Sequence, residues 1–201
     1  MATDRQRSSK WTDWPILGGS VGGAVAYILG YVVTGLVKSN QVQNEYGEIL
    51  GQFAEFEGLP AAWQVAGWIY YAAHNVEVVL DATITGQSIS RAVPITEGAL
   101  WEAWFPVVPL IALLIAGYVV AYRSDAPSVT EGFTAGASVV LGYGLLAIAG
   151  AFLFAWSLSV EELGAEVTVA VGPDLAWAVL LSGLAYPIVL GGIGGAIASQ
   201  T

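Results

Sequence analysis

The sequence lacks cysteine entirely, and among its 201 residues it has only two lysines, Lys10 and Lys38, and one histidine, His74. Without cysteine the chain has no disulfide bonds, thiolate metal ligands or cysteine nucleophiles, and its redox compartment is left open. Six basic residues stand against 16 acidic ones, which gives a net charge of -10. Because nucleic-acid phosphates require a basic surface, we predict no nucleic-acid partner.

Charge of either sign is scarce. Only 11% of the residues are charged and 56% are hydrophobic, whereas soluble domains carry roughly 25% charge. This composition predicts an integral membrane protein. The acidic, lysine-poor remainder is typical of proteins exposed to high salt, where screening weakens self-repulsion, so we also predict a halophilic origin.

Four long stretches contain no charged residue, and a bilayer crossing needs about 20 apolar residues. We therefore predict an all-α fold, in which residues 1–201 form a single membrane domain. This domain is a bundle of four transmembrane helices, with an outer interfacial helix in the long first loop. The predicted spans are residues 14–37, 103–122, 132–158 and 175–198.

The charges between the spans predict the orientation of the chain. A cytoplasmic tail (1–13) and a cytoplasmic loop (123–131) would alternate with extracellular loops at 38–101 and 159–174. Cationic residues then favour the inner side, which obeys the positive-inside rule and places both termini of a cell-membrane protein in the cytoplasm. A cleaved signal peptide is the competing interpretation, but the first apolar run exceeds the usual ~7 to 15 residues.

Residues 59–80 are the ambiguous part of the first loop. At helical spacing they present an apolar stripe and a polar aromatic stripe, which predicts an interfacial helix at about 61–80. The uncharged run here approaches spanning length, so a fifth crossing or a re-entrant segment is the alternative. Polar residues such as Gln64 and His74 would be costly in hydrocarbon.

Small residues recur every fourth position in the predicted helices, which lets neighbouring helices approach closely. They predict packing within the bundle or against a homo-oligomer or membrane-protein partner, besides the lipid bilayer itself. The predicted packing positions are Gly18, Gly22, Ala26, Gly30, Gly132, Gly136, Gly183, Gly191 and Gly195.

Few residues suggest chemistry. On a helix, His74, Glu77 and Asp81 would share one face, where they could bind a divalent ion or titrate together. A hydrogen-bonded interfacial histidine explains the same pattern, and we predict no metal and no cofactor. Polar side chains in or beside the spans could line a path through the bundle or serve as anchors and interhelical hydrogen bonds. They are Tyr27, Tyr31, Thr34, Tyr118, Tyr143, Ser182 and Tyr186.

The sequence contains no nucleophile, base and acid grouping, and no charged residue within the spans, so we predict that the protein is not an enzyme. The first functional hypothesis is a small transporter or permeation subunit that works as an oligomer, because four thin helices enclose little volume. The alternative is a non-transporting structural or accessory subunit of a membrane complex.

Several segments carry a resemblance to known sequences. They are the RQRSSK tail, the glycine-rich first helix ending in LGY, the loop segment AAWQVAGWIYYAAHNVEVV, and the helices LGYGLLAIAGAFLF and GPDLAWAVLLSGLAYPIVLGGIGGA. Together they resemble a family of uncharacterised haloarchaeal multi-pass membrane proteins, sometimes labelled transporter-like. The resemblance implies origin and topology and assigns no activity or binding residue.

Overall fold

The computed structural model describes residues 16–38, 58–84, 86–162 and 165–201, and at residues 161, 162, 165 and 166 it describes the backbone alone. The predicted tail 1–13 lies outside the described residues, as does much of the first half of the loop 38–101. The helices are α1 (Ile16–Lys38), α2 (Ala62–Ala72), α3 (Val107–Arg123), α4 (Val129–Ala137), α5 (Val140–Leu153), α6 (Leu175–Trp177) and α7 (Tyr186–Ala198). The strands are β1 (Val78–Ile84), β2 (Gln87–Val93), β3 (Trp156–Glu162) and β4 (Ala165–Pro173).

Three helical stretches are long and apolar enough to cross a membrane. This agrees with the prediction of a membrane protein. They are α1, with 23 residues, the joined helices α4 and α5 (Val129–Leu153), with 25, and Leu175–Ala198, with 24. The remaining predicted span, 103–122, corresponds to α3, which has 17 residues. At ~1.5 Å per residue α3 is about 25 Å long, a little less than the ~30 Å hydrocarbon core.

The prediction of an all-α bundle is wrong, because the two predicted outer loops form one four-stranded antiparallel sheet in the order β2-β1-β4-β3. Each loop supplies a hairpin, and β1 joins them by pairing with β4 from Val78↔Pro173 to Ile84↔Val167. Residues 156–158, assigned from sequence to the third span, belong to β3. Valine and threonine favour such strands, since branched side chains fit a pleated surface.

One face of the sheet is mainly apolar, although Gln87 and Arg91 of β2 also lie on it, and the other face is mainly polar. Successive residues of a strand point to opposite faces, and the register groups apolar side chains of all four strands on one of them. These are Leu80, Ala82, Ile84, Ile89, Leu158, Val160, Val167, Val169 and Val171. The opposite face carries polar pairs, in which the hydroxyls of Thr83 and Ser88 lie 3.0 Å apart and those of Ser159 and Thr168 lie 2.9 Å apart.

The predicted interfacial helix at about 61–80 is also corrected. The helix α2 ends at Ala72, and all its residues from Val65 onward are buried. It does not lie on an outer surface, and its 11 residues are too few for a crossing of ~20. The chain turns back at Asn75, whose φ of 58° lies in the left-handed region that asparagine tolerates, and continues into β1. Burial is possible because the helix inserts between α1 and α5.

Helix pairs in the bundle approach each other at glycine. A methyl group added at Gly23 would overlap the carbonyl oxygen of Val139, and one added at Gly136 would overlap that of Gly191. Side chains larger than hydrogen are excluded there, which is the usual reason for small residues at membrane-helix contacts.

The helix α6 continues into α7 through a π-helical segment, Ala178–Ala185. Pro187 lies two residues after this segment and has no amide hydrogen, so it cannot donate to the carbonyl of Gly183 four residues earlier. That carbonyl instead faces α5, where a methyl group added at Gly144 would lie 2.5 Å from its oxygen. The widened turn and the two glycines together bring this helix close to α5.

Candidate functional site

The structure separates the three residues proposed as a polar site. His74 lies in the turn after α2 and is fully buried, whereas Glu77 and Asp81 are exposed, the latter within β1. Their helical spacing does not apply because the helix ends before His74. Among the described residues, no group of three or more histidine, cysteine, aspartate or glutamate side chains is arranged to hold a metal ion.

His74 instead belongs to a ring of hydrogen bonds with two buried tyrosines. Its Nδ1 lies 2.8 Å from the carbonyl oxygen of Tyr70, and its Nε2 lies 2.6 Å from the hydroxyl oxygen of Tyr143. The hydroxyls of Tyr70 and Tyr143 are 2.7 Å apart, and all three side chains are inaccessible to solvent. This ring joins α2 to α5.

The hydrogen-bond directions in this ring follow from the carbonyl, which can only accept. The Nδ1 atom of His74 must therefore carry the proton and donate to Tyr70, which leaves Nε2 as the acceptor for the hydroxyl of Tyr143. Tyr70 then donates its own hydroxyl proton to Tyr143. Every polar atom of the ring has a partner, as buried polar groups require.

Burial also determines the charge of His74. Loss of hydration lowers the pKa of its imidazole from 6.5 to about 4, and the hydrogen bond with the Tyr70 carbonyl opposes part of that shift. The imidazole is neutral at physiological pH, consistent with an Nε2 atom that accepts a hydrogen bond. A neutral ring of this kind, in which each polar atom has a partner, holds the turn after α2 against α5.

A second hydrogen-bonded chain runs beside the first. The hydroxyl of Tyr71 donates to the carbonyl oxygen of Ala147, and the hydroxyl of Tyr27 lies 3.1 Å from that of Tyr71. Since Tyr71 uses its proton on the carbonyl, Tyr27 is the donor between the two tyrosines. The ring of Tyr27 also packs edge to face on those of Tyr70 and Tyr143, with centroids 5.3 and 5.2 Å away.

These five residues, Tyr27, Tyr70, Tyr71, His74 and Tyr143, are called the tyrosine cluster. Further hydrogen bonds around the cluster hold the other sides of α2 and the turn after it. The indole nitrogen of Trp68 donates to the carbonyl oxygen of Phe154 at 2.8 Å. The side-chain amide of Asn75 donates to the hydroxyl of Tyr186 at 2.6 Å, and Tyr31 donates to the carbonyl oxygen of Trp63 at 3.0 Å. The cluster and these surrounding hydrogen bonds together tie α2 and the turn after it to all three long apolar helices.

Of the polar residues that the sequence grouped as a path, Tyr27 and Tyr143 lie in the cluster and Tyr31 and Tyr186 lie beside it. The hydroxyl of Thr34 donates a hydrogen bond to the carbonyl oxygen of Gly30 within α1, at 3.0 Å. Tyr118 stacks on Tyr122 instead, with ring centroids 6.0 Å apart. Ser182, in the π-helical segment, is fully buried, and its hydroxyl has no hydrogen-bond partner among the described residues.

The predicted packing positions divide into two groups. Gly30, Gly132, Gly136, Gly183, Gly191 and Gly195 contact other parts of the chain, and Ala26 is buried. On α1, by contrast, the closest helix contacts are made by Gly19 and Gly23, beside the predicted Gly18 and Gly22. Gly18 and Gly22 line a groove between α1 and α3. The row of small residues on α1 that faces the segment Val129–Leu153 is therefore the one that contains Gly19 and Gly23.

Sequence reasoning missed one ion pair. Lys38, the last residue of α1, is only 1% exposed, and its Nζ lies 3.1 Å from a carboxylate oxygen of Glu102 and 5.6 Å from the ring centre of Phe105. The sequence predicts Lys38 as the first residue of a hydrated extracellular loop, whereas the structure buries it. The signal available in the sequence was Glu102 beside the aromatic residues that precede α3.

Taken together, the long apolar helices and the hydrogen-bonded tyrosine cluster between them define a membrane protein that carries a sheet outside its helix bundle. The chain belongs to DUF7978, a family of unknown function, whose profile matches residues 1–201. No curated protein and no solved structure is significantly similar to it. The match does not test the predicted haloarchaeal origin, which stays a prediction.

Proposed function

We propose that the protein is an accessory subunit of a membrane complex, which holds the sheet outside the cell membrane so that a partner protein adds a strand to it. The observation that carries this proposal is the exposure of β2. Six of its seven residues are exposed, and it pairs only with β1 among the described strands. An edge strand of this kind offers unpaired backbone amides and carbonyls to another chain.

The surface beside β2 supports a partner with apolar side chains. Ile89 of β2 is 60% exposed and Ile84 of β1 is 50% exposed, and the register places both on the apolar face of the sheet. Strand addition draws its affinity from main-chain hydrogen bonds and its specificity from alternate side chains. We therefore expect the partner to supply an extended segment with apolar residues opposite these isoleucines.

The proposed topology keeps four crossings, with α3 as the short one. This helix packs along α7, where a methyl group added at Gly117 would overlap the carbonyl oxygen of Gly191, so it shares the depth of a spanning helix. With four crossings both termini lie on the side opposite the sheet. The basic residues of the tail and Arg123 then lie in the cytoplasm, as the positive-inside rule favours.

The interior argues against permeation through a single chain. Tyr70, Tyr71 and Tyr143 fill the space between α1, α2 and α5, and none of them is accessible to solvent. A path for ions would have to break their hydrogen bonds, which leaves buried polar groups unsatisfied. Scaffolding is compatible with such an interior because it requires rigidity rather than an open route.

The proposal is tested by the size of the complex in native membranes. The protein would be extracted in mild detergent and sized on native gels as the wild type, as Ile89→Lys and as Ser90→Pro, since lysine and proline both block edge pairing. We expect the wild type to migrate above its monomer and both variants to lose that complex. Val160→Lys, on the opposite edge strand, is the matched control and should keep it.

A flux measurement provides the opposing outcome. Purified protein in vesicles should pass ions and small solutes no faster than vesicles without protein. Solute flux that depends on the protein would overturn the proposal in favour of the transporter hypothesis. A wild type that runs as a monomer in its own membranes would overturn it as well.

A further inference from the structure

The strongest unassigned feature is a groove on the outside of the bundle, between α1 and α3. It has a volume of about 440 Å³ at the end that contains Leu17 and Arg123, and a second cavity of about 370 Å³ continues it toward Trp104. The two cavities share Leu29 and Ala112, so they follow one seam. The volume of the first lies in the range of ~300–1,000 Å³ typical of ligand sites.

The groove is shaped by the alternation of small and large side chains. Its floor consists of Gly22, Ala26 and Ala116, and at Gly22 the helices come close, since an added methyl group would lie 3.1 Å from a methyl of Val120. Its walls are larger residues that remain exposed, among them Leu17 at 61% and Ile115 at 58%. The result is a trough lined almost entirely by apolar side chains.

One residue of the first cavity carries a charge. Arg123 ends α3 and is exposed at the end of the trough. Among the residues that the structure describes, the ion pair is that of Lys38 with Glu102, and Arg123 takes no part in it. A guanidinium group binds phosphate oxygens through a fork of N–H donors.

The length of the first cavity matches one leaflet. It extends along α3 from Ala112 to Arg123, which at ~1.5 Å per residue is about 17 Å. Half of a ~30 Å hydrocarbon core is about 15 Å. The first cavity is therefore about one leaflet long and contains a cation at one end, which fits an anionic lipid better than a second apolar helix.

We propose that this groove is a lipid site, which binds one acyl chain of an anionic phospholipid along α1 and α3 while Arg123 binds its phosphate. The inference is independent of the proposed function, because it concerns the opposite end of the bundle from the sheet. A helix from a second copy of the chain would cover both cavities and would leave the guanidinium group without a role.

The test is lipid retention by the purified full-length protein, measured by native mass spectrometry. Delipidated protein would be incubated with phosphatidylglycerol, with diacylglycerol of the same acyl chains, or with inorganic phosphate. We expect one phosphatidylglycerol to be retained, with weaker retention of diacylglycerol and none of phosphate alone. Equal retention of phosphatidylglycerol and diacylglycerol would overturn the role of Arg123.

Two pairs of variants locate the site. Arg123→Gln should weaken phosphatidylglycerol binding at least tenfold, whereas Arg91→Gln, on the exposed strand β2, should leave it unchanged. Ala116→Leu fills the trough and should abolish the bound lipid, while Ala149→Leu, an exposed position of α5 outside the groove, should not. Circular dichroism and the elution profile establish that each variant is folded.

Two outcomes would contradict the inference. If all four variants retain lipid equally, the bound molecules belong to the general lipid shell. If Ala116→Leu converts an oligomer to a monomer without changing lipid retention, the groove is a contact between copies of the chain. Because Arg123→Gln changes no packed residue, it keeps the test decisive even where the groove-filling variant fails to fold.

Discussion

The imidazole Nε2 of His74 accepts a hydrogen bond from the hydroxyl of Tyr143 over 2.6 Å, although 69 positions separate the two residues. This contact links the turn after α2 to the middle of the segment Val129–Leu153. It explains how a short helix with polar residues at its end is held inside an apolar bundle. The polar atoms that would be costly in an apolar interior are bonded to one another.

Removal of the Tyr143 hydroxyl tests this explanation. Tyr143→Phe keeps the ring but leaves Nε2 of His74 without a donor and the hydroxyl of Tyr70 without an acceptor. We expect destabilisation of about 1–3 kcal/mol, the usual cost of unsatisfied buried groups. It would be measured as a lower midpoint of thermal unfolding in detergent.

Tyr122→Phe is the matched control for that variant. Tyr122 is 61% exposed and stacks on Tyr118 through its ring, which phenylalanine retains. Its midpoint should match the wild type. Equal midpoints for Tyr143→Phe and the wild type would show that the hydrogen-bonded ring does not stabilise α2.

Because α1 and α5 approach each other closely at Gly23, we expect the glycines of α1 to differ in how well they tolerate substitution by alanine. Gly23→Ala adds a methyl group that overlaps the Val139 carbonyl, so the helices must separate, with an expected cost of about 1–3 kcal/mol. Gly35→Ala, about three turns further along the same helix, meets a methyl of Ala66 at an ordinary 3.8 Å. It should be neutral or stabilising, because alanine favours helix.

The measurement is thermal unfolding of both alanine variants in the same detergent. Helix propensity changes equally in the two, so the difference between their midpoints reports the contact of α1 with α5. Similar midpoints would contradict the close packing at Gly23.

The membrane helices could be predicted from sequence because absence of charge over about 20 residues has a single common cause, the bilayer. The sheet could not be read in the same way. Its strands contain Asp81, Arg91 and other charged residues, which suggested hydrated loops, although alternation of apolar and polar residues is also typical of a half-buried strand. Which hairpins meet depends on contacts between β1 and β4, far apart in the chain.

The interior site was only partly predictable. Tyr27 and Tyr143 were recognised as polar residues within spans, which is unusual enough to mark them. His74, by contrast, was placed with Glu77 and Asp81, because helical periodicity was continued past Ala72. Burial of α2 depends on partners in α1 and α5, and local periodicity contains no information about those partners.

The ion pair at the end of α1 predicts a compensating double variant. Glu102→Gln withdraws a carboxylate from an ammonium group that is 1% exposed, and a broken buried pair costs up to about 3–5 kcal/mol. Because Glu102 itself is 45% exposed, we expect a smaller loss of about 1–3 kcal/mol. Lys38→Met combined with Glu102→Gln should restore much of the stability, since methionine packs on Phe105 without a charge.

Unfolding midpoints of the wild type, both single variants and the double variant form a thermodynamic cycle. A coupling energy near zero would show that Lys38 and Glu102 do not stabilise each other. Asp81→Asn, which removes an exposed carboxylate from β1, should have little effect and serves as the control for the change in net charge.

The last prediction concerns the protonation of His74. Its pKa is lowered to about 4 in the folded protein, so between pH 6.5 and 4 the unfolded chain binds a proton that the folded protein excludes. Stability is therefore fully present above pH 6.5 and falls as the pH is lowered toward 4, by up to about 3 kcal/mol for a shift of 2.5 units.

Because His74 is the single histidine of the chain, ¹⁵N-histidine labelling reports its ring directly. The spectrum should show the neutral tautomer with the proton on Nδ1 down to about pH 4. Tyr143→Phe removes the donor to Nε2 and should change the Nε2 chemical shift, whereas Tyr122→Phe should not. An imidazole that titrates near pH 6.5, or one with its proton on Nε2, would contradict the buried ring of hydrogen bonds.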